Sequence, residues 1–201
     1  MIEMRRTIFY CSFLFVFLFL IYSCNTDYTF KRRGYYKIDF PKKAYQKFDQ
    51  PGYPYTFEYP VYAFISKDSM FFEARPENPW WINIDFPRFG ATIYISYKEI
   101  GKNKLDSLVN DAFEMAYKQH TRKASSIEPV GFITPNKISG IYFTLTGNTA
   151  TANQFFLTDS VRHFLRGSLY FNAIPNEDSI SVVNDFLRVD MEHLINTLQW
   201  Q

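Results

Sequence analysis

The sequence predicts an α+β domain, a mainly antiparallel sheet with helices packed on it. Three observations point there. Phe, Tyr and Trp supply 20% of the 201 residues, and aromatic side chains favour strands. Several segments alternate apolar and polar residues with period two, the pattern of a half-buried strand. Two others repeat apolar residues at i, i+3, i+4 and i+7, the pattern of an amphipathic helix.

The elements follow in order. "YYKIDFP", residues 35–41, reads as a short first strand stopped by Pro41. Pro51, Gly52 and Pro54 mark turns. "YTFEYP" and "VYAFIS" read as strands on either side of Pro60, which suits an edge or a bulge. "SKDSMFFEARPENP" reads as a loop. "WWINIDFP" and "ATIYISYK" form a hairpin across "PRFG", with Ile82, Ile84 and Phe86 on one face of the first arm and Ile93 and Ile95 on one face of the second. A helix runs through Leu105, Leu108, Val109, Ala112, Phe113, Ala116 and Tyr117, with Asn103 and Asp106 spaced to cap its start. "IEPVGFITP" adds a strand, and "SGIYFTLTGN" another, turning at Gly147 and Asn148. Asn153–Thr158 and Phe164–Asn172 are two more strands joined by the loop "DSVR", so the last three strands make an antiparallel meander. A final helix starts near Asn176 as its cap. Ile180, Val183, Phe186, Leu187, Met191, Leu194, Ile195 and Leu198 form the apolar face that covers the meander.

The first residues say where the chain works. Arg5 and Arg6 precede an uncharged run from Thr7 to Tyr22, too short for an ordinary membrane span and suited to an export signal. The run ends in "IYSC", Ile21 to Cys24, which resembles a bacterial lipobox. In that pattern the cysteine is lipidated and the peptide is cut before it. The expected organisation is a lipoprotein signal peptide over 1–23, a tether over 24–34 and a single globular α+β domain over 35–201. A lone acyl chain holds a protein weakly, whereas several make release negligible. Asn25, rather than Asp, follows Cys24, so the expected location is the outer membrane, with the domain facing the periplasm. Lys31–Arg33 are read as part of a solvated linker.

Composition excludes other classes. With Cys11 in the signal and Cys24 lipidated, the mature chain has no cysteine left for a disulfide. Its stability has to come from a hydrophobic core, for which about 178 residues suffice. Without Glu3, Arg5 and Arg6 the chain carries 20 basic and 19 acidic residues, a balance that argues against a nucleic-acid partner. His120, His163 and His193 lie far apart and outside any metal-ligand spacing. No Gly-rich phosphate loop is present, and no cofactor is expected.

Asp159, Ser160 and His163 share one short segment. A triad needs its base between nucleophile and orienting acid, and Ser160 has no nucleophile elbow around it. These residues are therefore read as hairpin polars, and no catalytic residue is assigned. Other acidic residues are read as solvated helix surface. Trp80 and Trp81 are either an exposed recognition patch or core and sheet cover.

Several stretches carry a family resemblance. The lipobox, "RGYYKIDFP", "WINIDFP" with "IYISYK", "GNTATANQFFLTDSVRHFLRGSLYFN" and "DFLRVDMEHLINTLQW" resemble the gliding motility lipoprotein GldD family of the Bacteroidota. The resemblance spans nearly the whole mature chain. It implies a membrane-tethered component of the gliding motility and type IX secretion machinery, with other envelope proteins of that machinery as partners. It implies no catalytic residue and carries over only Cys24, as the lipidation site. The expected role is a non-enzymatic assembly or scaffold factor. The alternative is a periplasmic ligand-binding or envelope-polymer-modifying lipoprotein. The order of elements also resembles the PsbP/Mog1-type α/β/α sandwich, which speaks to fold alone. Bacteroidota modify exported proteins at Asp-[Ser/Thr]-apolar sequences. Of the matches here, Asp68-Ser69-Met70 falls in a loop, which makes Ser69 the candidate O-glycosylation site.

Overall fold

A computed structural model describes residues 37–67, 76–118 and 120–201. Two stretches with strict period-two patterning set its centre. Strand β4 (Ile82–Phe86) buries alternate residues, and β5 (Ala91–Glu99) continues the pattern through Ile93, Ile95 and Tyr97. A 3-10 turn over Pro87–Phe89 joins them and closes at Gly90, whose φ of 55° is left-handed. That conformation is easiest for glycine.

Around this hairpin a seven-stranded sheet runs in the order β3-β4-β5-β9-β8-β7-β6, with every pairing antiparallel. Strand β3 spans Phe64–Lys67, β6 Ala124–Ile133, β7 Ser139–Gly147, β8 Asn153–Thr158 and β9 His163–Phe171. The predicted meander is thus β7-β8-β9. A second sheet has the order β1-β2-β10, from Tyr45–Phe48, Tyr55–Pro60 and Gln199–Trp200. Residues Ile38–Gln201 form one compact unit.

Side-chain alternation sends neighbours to opposite faces of the large sheet. One face, with Ile84, Ile95, Phe155, Leu165 and Leu169, packs with Phe57 of the small sheet and with Leu187, Met191 and Leu194 of helix α2 (Glu177–Thr197). The other face offers Phe143, Leu145, Phe156 and Phe164 to Leu108, Ala112 and Ala116 of helix α1 (Leu105–Tyr117). The large sheet is therefore a middle layer with one helix on each side, an α/β/α arrangement. Gly167 belongs to this packing. A Cβ there would lie 2.3 Å from Cε1 of Phe155, so the ring occupies the space a side chain would need.

Four sequence expectations change. Residues 37–44 form no strand, and the first strand starts at Tyr45. Pro41 has no N–H to offer a ladder, and Phe40 instead stacks on Phe186 of α2 at 4.4 Å between ring centroids. "VYAFIS" is only partly a strand, because Val61–Ala63 turn, with the N–H of Ala63 donating to the carbonyl of Pro60. The cap of α1 is Lys104, without a side-chain bond. Asn103 is drawn elsewhere, donating to Glu77 and to the carbonyl of Glu99. At the far end the chain leaves α2 at Leu198 and adds β10 against β2, a pairing too short to show in the sequence pattern. The cap of α2 is Asn176, which accepts from the N–H of Ser179.

Phe155 is 1% and Phe156 4% exposed, in separate core clusters. Replacing Phe155 by Ala is expected to cost about 3–5 kcal/mol in urea unfolding. Val161→Ala, in a loop residue that is 77% exposed, should stay within about 0.5 kcal/mol. Equal losses would contradict this assignment of the core.

Candidate functional site

The hairpin loop between β8 and β9 holds the densest set of reactive side-chain types in the sequence. Its geometry is that of a turn. Oδ1 of Asp159 accepts from the backbone N–H groups of Val161, Arg162 and His163. Burial opposes the charge on Asp159, but these three bonds outweigh it and hold the carboxyl below its ordinary value. Ser160 sits at φ 63°, exposed, and its N–H donates to Thr158. His163 turns away from both and is only 6% exposed. Its Nδ1 lies 2.7 Å from the Tyr97 hydroxyl, and its ring stacks on Trp200 at 4.9 Å. Burial lowers the His163 pKa, and burial followed by Glu99 raises that of Tyr97 to about 12. The pair is therefore a neutral hydrogen bond near pH 7. The His163 ring meets Tyr97 and Oδ1 of Asp159 meets three backbone N–H groups, so the three side chains are not arranged with the base between acid and nucleophile as a triad is.

A second cluster was not legible as such. Asp190, on α2, is 1% exposed. Lys43 Nζ lies 2.7 Å from its Oδ2, Tyr62 donates to the same oxygen at 2.5 Å, and Tyr45 donates to Oδ1 at 3.1 Å. Lys43 also donates to the carbonyl of Phe186 and lies 3.3 Å above that ring's centroid. Burial lowers the Lys43 pKa, partly offset by Asp190. Burial and the Asp190 charge together raise Tyr45 to about 12 and Tyr62 further. The expectation that acids on the helices are solvated fails here. Asp190 is three residues from Leu187 and four from Leu194, on the face that enters the core. That spacing is the signal that could have found it.

A third feature is a cleft of about 380 Å³ between the ends of β7 and β8 and the first turns of α2. Its floor includes Asn153, 1% exposed, whose Oδ1 accepts from Tyr142 and whose Nδ2 donates to Asn184. Thr144, Ser181 and the Asp185–Arg188 pair complete a polar wall, with Leu145 and Ile180 apolar. This volume and mixed lining suit a small polar ligand.

The remaining sequence-marked residues are scattered. His193 stacks on Tyr45 at 3.6 Å and meets Glu58 at 2.7 Å. His120 is buried beside α1. Trp80 and Trp81 are both half-buried against the larger core cluster, donating to the carbonyls of Gly52 and Tyr97. Among the described residues no group of His, Cys, Asp and Glu is placed to hold a metal. Cys24, Ser69 and Lys31–Arg33 lie outside the described residues.

Two outcomes are expected. Asp190→Ala leaves a half-buried ammonium and two hydroxyls without their acceptor, and Lys43→Met leaves the fully buried Asp190 carboxylate without its cation, so each should cost about 3–5 kcal/mol in denaturant unfolding. The second concerns pH. His120 and His163 both have folded pKa values lowered by burial. An unfolded histidine titrates near about 6.5, so below that pH the unfolded chain binds more protons and stability falls. Stability should drop as pH goes from about 7 to about 5, and less steeply in His163→Gln. A drop that is unchanged in the variant would count against His163.

The family comparison agrees with the resemblance read from the sequence. The family model described as gliding motility lipoprotein GldD matches residues 25–200. Among solved structures, that of cyanobacterial PsbP (CyanoP) from Synechocystis sp. PCC 6803 is similar over 86% of this chain and 99% of that one, at 10% identity and a TM-score of 0.45. No curated protein matches. The chain belongs to the gliding motility lipoprotein GldD family.

Proposed function

We propose that this gliding motility lipoprotein is anchored in the outer membrane through Cys24, faces the periplasm, and serves the linked type IX secretion machinery as a non-enzymatic assembly or scaffold factor. The observation that carries the non-enzymatic reading is the use made of Asp190 and His163. Asp190 is taken up by Lys43, Tyr45 and Tyr62, and His163 by Tyr97. Each is spent on holding segments together. The edge strand β6 favours an assembly role. Among the described residues it pairs only with β7, and its Val130 and Ile133 are 58% and 73% exposed. A sheet edge with open backbone groups is a surface on which partner strands add. The partners are other envelope proteins of the same machinery.

The cleft beside Asn153 favours a second reading, a periplasmic lipoprotein that binds a small ligand or acts on envelope polymers. The scaffold reading is tested against chemistry at the β8–β9 hairpin in cells of a gliding host that carry the protein as sole copy. Ser160→Ala and His163→Gln, expressed at normal level, should support gliding and secretion as the parent does. A folded, membrane-localised Ser160→Ala protein that cannot support them would overturn the scaffold reading. Cys24→Ser should take up no labelled palmitate, and label in that variant would refute the anchor. Ser69 is proposed as the glycan site, and a mature mass equal to that of the lipidated polypeptide would remove it.

A further inference from the structure

Arg166 stands in β9 on the face that α1 partly covers, between Phe164 and Ser168. Its Nη2 donates to Oε1 of Gln154 at 2.5 Å. Among the described residues it makes no ion pair, and the groups that act on its charge include no carboxylate. Burial pulls its pKa below the ordinary value. Asp190, by contrast, is surrounded by donors. Arg166 is half-buried rather than sealed, and a partly desolvated cation without a counter-charge is still costly.

The atoms around Arg166 share one character. Gln154 and Ser168 face each other across β8 and β9, and each is 1% exposed. Nε2 of Gln154 and Oγ of Ser168 are buried without a hydrogen-bond partner. So is Nε2 of His120, 4% exposed and close enough for the charges of Arg166 and Lys123 to lower its pKa. The amide nitrogen and the guanidinium are donors only, and the hydroxyl can donate. One orphaned acceptor, Oδ1 of Asn83, lies in the same cross-strand row. It is two strands from Ser168, about 10 Å away. Donors and positive charge thus converge where acceptors are missing.

We propose that Arg166, Gln154 and Ser168 form a binding site for a single oxyanion, a carboxylate or a phosphoryl group. The planar guanidinium has donors left to grip two oxygens at once, a geometry both groups match. Ser168 and the Gln154 amide supply further donors. Gln154 also fixes the guanidinium by accepting from it. A trapped water satisfies hydrogen bonds but leaves the charge of Arg166 uncompensated, which is why an anion fits better than solvent.

The test uses the purified full-length lipoprotein in detergent. Its thermal midpoint is followed against inorganic phosphate and, separately, acetate, with chloride balancing ionic strength. The expected result is a saturable rise of several degrees with at least one probe. The rise is lost in Arg166→Gln and weakened in Ser168→Ala. A response to phosphate alone assigns a phosphoryl ligand, and a response to acetate alone assigns a carboxylate. No saturable rise, or a rise that survives in both variants, means water or an adventitious ion only and overturns the proposal. If Arg166→Gln does not fold, Ser168→Ala, which loses one hydroxyl, carries the comparison.

Discussion

One buried carboxylate decides how the chain closes. Asp190 lies inside the core on α2, and its three donors come from separate places. Lys43 is in the segment before β1, Tyr45 opens β1, and Tyr62 follows β2. The bonds fix the small sheet and the entering segment to the last helix. Ring contacts reinforce them. Phe40 and Lys43 both lie on the ring of Phe186, and Tyr45 stacks on His193 two turns further along. Burying a charge is rarely a net gain over a well-packed apolar group, so its value is in specificity. A carboxylate with three directed partners favours one placement of these segments on the helix.

That constraint bears on the role proposed for the protein. On the proposed reading, the lipid at Cys24 and the folded domain are joined through residues that enter at Ile38. Any load between membrane and domain then passes first into the segment that Asp190 holds. The two helices divide the work. Helix α2 closes the larger core cluster and secures the entry. Helix α1 covers only part of the opposite face, where Arg166 and its neighbours lie. Asp190 is met by three donors, whereas among the described residues Arg166 forms no ion pair.

Much of this architecture is legible in the sequence because its periods are clean. "WINIDFP" and "IYISYK" pair as their alternation requires, with Ile82 opposite Ile95 and Ile84 opposite Ile93. The apolar spacing of Leu108, Ala112 and Ala116 marks α1, and Asn176 marks the start of α2. Polar residues in apolar positions are not legible in this way. Asp190 fits the helical spacing of the core face and was masked by its residue type. Arg166, Ser168 and Gln154 sit where alternation puts them, but their burial follows from β8 and β9 being internal strands, a matter of sheet order that no local pattern encodes. The first strand was misplaced because "YYKIDFP" has strand composition, whereas Phe40 does better against Phe186 than in a ladder interrupted by Pro41.

The central claim is that Asp190 couples the entering segments to α2. A double-mutant cycle between Tyr62→Phe and Asp190→Asn tests it most directly, because the first change removes one hydroxyl and leaves the ring in place. With stabilities measured by denaturant unfolding, the account predicts a coupling above about 1 kcal/mol, in the range found for residues that share a hydrogen-bond network. Additivity within about 0.3 kcal/mol, the behaviour of independent sites, would contradict it.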